Sequence, residues 1–75
     1  MVDVHRTFTF ASGYGYVTVR HEDRDYALIR AEAHDVTSGF TETVVALPIF
    51  GRGDQAVLET ARIANCEADV YARIH

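Results

Sequence analysis

Apolar and polar residues alternate over most of the first fifty positions. From Val2 to Phe10 the apolar residues Val2, Val4, Phe8 and Phe10 share one parity, and Asp3, His5, Thr7 and Thr9 share the other. That period of two is the mark of a half-buried strand, with Arg6 the one charged residue on the apolar side. Ser12-Gly13 offers a tight turn. A two-residue loop there pairs Phe8 with Val17 and Phe10 with Gly15, which keeps the apolar residues of both strands on one face. Gly15 is then expected beneath the Phe10 ring, where an aromatic covers the missing side chain.

A second strand runs from about Tyr16 to Glu22, with Val17, Val19 and His21 inward, and Asp23-Arg24-Asp25 turns the chain. The third strand covers Tyr26 to Asp35. A three-residue loop before it sends Ala27, Ile29, Ala31 and Ala33 inward; a two-residue loop sends Tyr26, Leu28 and Arg30 inward. The first is preferred because it keeps Arg30 and Glu32 out of the core. Thr37-Ser38-Gly39 closes the next hairpin, with Gly39 free to adopt positive φ. The fourth strand, Phe40 to Phe50, contributes Val45, Leu47 and Ile49 to the core, and Pro48 marks it as an edge.

Gly51-Arg52-Gly53 ends the sheet and Asp54 is the expected helix N-cap. From Gln55 to about Ile74 there is no Gly or Pro, and Ala recurs. At 100° per residue, Val57, Ala61, Ala64, Ala68, Tyr71 and Ala72 form one stripe, small enough for close approach to a sheet. Ile63, Val70 and Ile74 form an adjoining shoulder, and Cys66 lies on the far side. The expected fold is α+β: a four-stranded antiparallel meander with one C-terminal helix packed on one face. It forms a single domain over residues 1–75, with the sheet at about 2–50 and the helix at about 54–74.

Length and charge bound the function. A chain of 75 residues with a net charge of −4 has room for one layer of helix on one layer of sheet, not for a two-domain cleft. One cysteine cannot form an internal disulfide, which points to a reducing, cytoplasmic setting. The first residues carry no targeting pattern, and the longest apolar run, Val44 to Phe50, is too short to span a bilayer, so no membrane partner is expected.

Candidate chemistry is thin. His21-Glu22-Asp23 and His34-Asp35 lack metal-ligand spacing, so neither metal nor cofactor is expected. Ser12 and Ser38 are turn residues, and no His is placed beside Cys66 to activate it. Gly51-Arg52-Gly53-Asp54 lacks the P-loop lysine and reads as a helix start. The expectation is a protein that is not an enzyme.

The string Ser12-Gly13-Tyr14-Gly15-Tyr16-Val17-Thr18-Val19 resembles the Gly-aromatic-Gly-aromatic-aliphatic element on the RNA-binding strands of RRM and cold-shock domains. RRM order does not fit, but about Arg6 to Arg30 can be laid on the cold-shock family. The resemblance implies a single-stranded nucleic-acid-binding module in which Phe8, Tyr14 and Tyr16 stack on bases beside Arg20. The chain departs from that family at Ser12, which replaces a basic residue. It departs again at Tyr26-Ala27-Leu28-Ile29-Arg30, which keeps one aromatic and no His, and in its long C-terminal helix. The scattered arginines, with no Lys, also disfavour direct nucleic-acid binding.

The preferred reading is a small acidic non-enzymatic binding protein that masks or joins a macromolecular surface. In size and charge it resembles phage- or mobile-element-encoded inhibitors such as anti-CRISPR proteins, which implies a protein target with a basic nucleic-acid-binding surface. Asp3, Glu22, Asp23, Asp25, Glu32, Asp35 and Glu42 would supply the steering field. The partner-binding residues are expected on the sheet face away from the helix: Tyr16, Arg20, Leu28, Arg30, Glu32, Phe40, Glu42, Val44 and Phe50. Leu28, Phe40, Val44 and Phe50, together with the helix shoulder, favour a homodimer; a plain dimerisation domain is the simplest version of this reading.

Overall fold

A computed structural model describes residues 2–23 and 27–75. The elements run β1 (Arg6–Thr9), β2 (Gly15–Asp23), β3 (Ala27–Asp35), β4 (Thr41–Pro48) and α1 (Gly53–Ile74). The four strands form one antiparallel sheet in the order β1-β2-β3-β4, and the helix lies across one face, as the alternation and the alanine stripe predict.

The first hairpin has the expected register, with Phe8 opposite Val17. Gly15 is required there: a Cβ would run into the Phe10 ring and the His34 carbonyl oxygen. β1 is shorter than its alternation suggests. The His5 N–H donates to Asp3 Oδ1 at 3.0 Å, a local turn that leaves residues 2–5 outside the ladder although Val4 still enters the core. Between β2 and β3 the preferred parity holds, with Val17 opposite Ala33, Val19 opposite Ala31 and His21 opposite Ile29. The expected turn residues Arg24 and Asp25, and Tyr26 after them, lie outside the described residues.

The second half of the sheet departs from expectation through its turn. The Asp35 N–H donates to the Phe40 carbonyl, so residues 36–39 form a four-residue loop rather than a three-residue one. Asp35 builds it: its Oδ1 accepts the N–H groups of Thr37 and Ser38, and Gly39 adopts φ +76°. One extra loop residue shifts the strand by one place, which exchanges its faces. Glu42 therefore stands opposite Ala33 on the helix side, and His34 faces Thr41 instead of Glu42. A β-bulge restores the parity. Ala31 pairs with Val45 and Glu32 with Thr43, leaving Val44 as the extra residue. Val45 and Leu47 then face the core as expected.

This corrects three of the expected partner-face positions. Phe40 and Glu42 lie on the helix side, and Val44 packs against the helix-side core. Leu28 does lie on the far face, opposite Glu22 and Pro48, but it is buried at 8 % exposure. Phe50 follows the end of β4 and is exposed.

The core is one cluster. Val17, Val19, Ile29 and Ala31 from the sheet are fully buried against Ala61, Ala64, Ala68 and Ala72 of the helix. The helix begins at Gly53, before the expected cap, and Arg52 at the N-cap position makes no side-chain cap bond. Asp54 instead sits in the first turn, where its charge opposes the positive end of the helix dipole. At the other end the β1–β2 turn caps the helix. The Ala11 N–H donates to the Ala72 carbonyl at 2.9 Å and the Ser12 N–H to that of His75 at 3.4 Å.

Enlarging the stripe should therefore be costly. Ala64→Leu and Ala68→Leu are each expected to lower unfolding free energy by about 1–3 kcal/mol, read from urea midpoints. Parent-like midpoints for both would show that the stripe does not meet the sheet.

Candidate functional site

The sheet face away from the helix is a polar ladder across β2, β3 and β4. Outward parity brings Arg20 directly opposite Arg30, a like-charge pair that by itself would destabilise the strands. Glu22 resolves it. Its Oε1 accepts from Arg20 at 2.7 Å and from Arg30 Nε at 3.0 Å, while Glu32 accepts from Arg20 at 2.7 Å. Arg30 also donates to Thr43 Oγ1 at 3.2 Å. The hydrogen bond with Glu32, and the fields of Glu22 and Glu32, outweigh a small desolvation and raise the Arg20 pKa above its ordinary value. Beside this ladder Tyr16 stacks on His34 with ring centroids 4.8 Å apart, and the His34 ring bonds Thr18 at 3.0 Å.

Of the expected partner residues, this face thus unites Tyr16, Arg20, Arg30 and Glu32 with the buried Leu28. It does not gather Phe40, Glu42, Val44 or Phe50. The arginines and Glu32 are engaged with one another and with Glu22, which is not among the expected partner residues although it shares the parity of Arg20 and Arg30.

Glu42 and Phe40 belong to a second cluster, at the C-terminal end of the helix. Tyr71 donates its hydroxyl to Glu42 Oε1 at 2.5 Å. The Tyr71 ring stacks on His75 at 4.1 Å, and Phe10 lies 6.0 Å from Tyr71. The bond to Glu42, reinforced by burial and by the carboxylate charge, raises the Tyr71 pKa. The sequence set Tyr71 in the helix stripe but gave it no polar partner, because Glu42 reaches it only after the face exchange.

Of the three aromatics that the cold-shock resemblance sets on bases, Tyr14 is exposed in the turn, Tyr16 is half-buried against His34, and Phe8 packs on the core. The sheet is open rather than a closed barrel. Among the described residues, no three His, Cys, Asp or Glu side chains converge as they would around a metal ion.

Two flanks of the helix remain. Tyr71 marks the β4 side through its bond to Glu42. At 100° per residue Ile74, Ile63 and Val70 lie about 60–100° farther round on that same side. They are 75 %, 54 % and 49 % exposed, and Phe40 of the same side is 63 % exposed. The opposite flank, facing β1, is a groove bounded by Arg6 and Phe8 below and by Leu58, Arg62 and Asn65 above. Compared with known proteins, the chain matches no family model, and no curated protein or solved structure matches it.

The Tyr71–Glu42 bond gives a pH signature. A tyrosine pKa raised by folding stabilises the fold fully below the unfolded value of about 10, and that contribution is lost as pH rises through the folded value. An ultraviolet titration of the folded protein should show a tyrosine step above the ordinary value of about 10. Tyr71→Phe should remove that late step and cost about 1 kcal/mol. A late step that survives in Tyr71→Phe would assign it to a different tyrosine.

Proposed function

We propose that this chain is a small non-enzymatic binding protein whose contact surface is the strip where the outer side of the helix meets β4, and that a second copy occupies this strip in the free protein. The observation that carries the reading is the exposure of Ile63, Val70 and Ile74 on the flank that also presents Phe40. Three exposed aliphatic side chains on one helix flank, with an exposed Phe on the same side, favour association, and a two-fold contact hides one such strip on each copy. Val44, drawn to this side by the bulge, extends the apolar ground beneath it.

The polar sheet face supports the same choice by contrast. Arg20 and Arg30 have carboxylate partners, so a nucleic-acid backbone would have to displace Glu22 and Glu32 to reach them. The surplus of carboxylates, net −4, favours encounter with a basic protein surface, and masking such a surface is the activity proposed for the assembled protein. No helix among the described residues is long and apolar enough to cross a membrane.

Equilibrium sedimentation tests the contact. The wild type should behave as a dimer at micromolar concentration, and Ile74→Glu as a monomer with an unchanged circular dichroism spectrum. A wild type that stays monomeric at high concentration, or an Ile74→Glu variant that still dimerises, would overturn the assignment.

A further inference from the structure

Arg6 breaks the alternation of the first strand, and the structure gives it a setting. It stands opposite Val19, so it shares the parity of the core and lies on the helix side of β1, in the groove with Arg62. The two cations share about 570 Å³ of open space, and among the described residues neither has an ion-pair partner, whereas Arg20, Arg30 and Arg73 all do. Of the two acids in the same groove, Asp69 has a cationic partner elsewhere and Asp3 keeps its charge. Asp3 accepts the His5 N–H and Asp69 pairs with Arg73 at 3.0 Å. With Asp69 answered by Arg73, Arg6 and Arg62 share the groove with one remaining carboxylate, Asp3, so in a protein of net charge −4 the groove keeps a surplus of one positive charge.

The groove also borders an open sheet edge. β1 pairs only with β2. The Phe10 N–H donates to the Gly15 carbonyl, so Phe10 and Gly15 form a hydrogen-bonded pair, and antiparallel alternation makes Phe8 and Arg6 the next such residues. The N–H and C=O groups of Thr7 and Thr9 therefore point outward. The following outward donor, the His5 N–H, is already taken by Asp3. In the groove wall the buried Oδ1 of Asn65 accepts no hydrogen bond among the described residues.

We propose that this groove takes an extended acidic segment of a partner protein by strand addition to β1. The backbone of the segment pairs with Thr7 and Thr9, its carboxylates meet Arg6 and Arg62, and its apolar side chains lie on Phe8 and Leu58. Main-chain bonds give the affinity and the alternate side chains give the selectivity. The site lies on the opposite flank of the helix from the proposed self-contact, so either can fail without the other.

The probe is a capped peptide repeating Val-Thr-Glu-Thr, so that Val and Glu alternate along its helix-side face (the Val-Glu peptide), with Lys in place of Glu in its counterpart (the Val-Lys peptide), titrated into the Ile74→Glu chain and into wild type. The Val-Glu peptide should bind both proteins, protect the Thr7 and Thr9 amides from hydrogen exchange, and weaken as salt is raised. Arg62→Glu, on the exposed helix surface, and Arg6→Glu should each weaken it at least about tenfold, or 1.4 kcal/mol. Equal binding of the Val-Lys peptide, unchanged affinity in Arg62→Glu, or unaltered Thr7 and Thr9 exchange would overturn the proposal. So would protection of those amides that grows with protein concentration in the absence of peptide, which would assign the edge to a second copy.

Discussion

Everything else in the molecule depends on how closely one helix can lie on four strands. Ala61, Ala64, Ala68 and Ala72 present almost nothing but backbone and methyl groups to the sheet, and each is at most 3 % exposed. The large side chains of the core come from below, where Val17, Val19 and Ile29 are fully buried. In a chain of 75 residues, where so much surface stays wet, this one dense contact supplies most of the apolar burial available. It also fixes the helix end. Because the helix lies low on the sheet, the β1–β2 turn reaches its final carbonyls with the Ala11 and Ser12 amides and satisfies groups that would otherwise need solvent.

The same contact decides what the sequence could reveal. Strand parity at Val17, Val19, Ile29 and Ala31, the Phe10 cover over Gly15 and the alanine stripe are local or pairwise patterns, and all were readable. The β3–β4 turn was not. Its length depends on Asp35 folding back onto the Thr37 and Ser38 amides, and a shift of one residue there is invisible to alternation until a bulge corrects it at Val44. The core residues Val45 and Leu47 therefore came out right, while Phe40, Glu42 and Val44, on the turn side of the correction or within it, came out on the wrong face. The end of the helix nearest the N-cap was also misplaced, because Arg52 rather than Asp54 occupies the cap position.

The face exchange alters the surface more than the core. Without Phe40 and Val44, the outer sheet face is a ladder of Arg20, Glu22, Arg30 and Glu32 in which each charge has an opposite neighbour. Such a face is at ease in water. The residues that are not at ease sit on the two flanks of the helix: apolar on the β4 side at Ile63, Val70 and Ile74, cationic on the β1 side at Arg6 and Arg62. In a fold of one helix layer on one sheet layer, the flanks and edges are where a partner finds purchase.

The central claim is the seating of the alanine stripe on the inner sheet face in the register that the bulge sets. Methyl-to-methyl nuclear Overhauser contacts read it directly. Contacts are expected from the Ala64 and Ala68 methyls to those of the buried sheet residues Val17, Ile29 and Ala31, together with a cross-strand contact that pairs Thr43 with Glu32. Alanine methyls with no contact to the sheet, or a ladder in which Glu42 rather than Thr43 stands opposite Glu32, would contradict it.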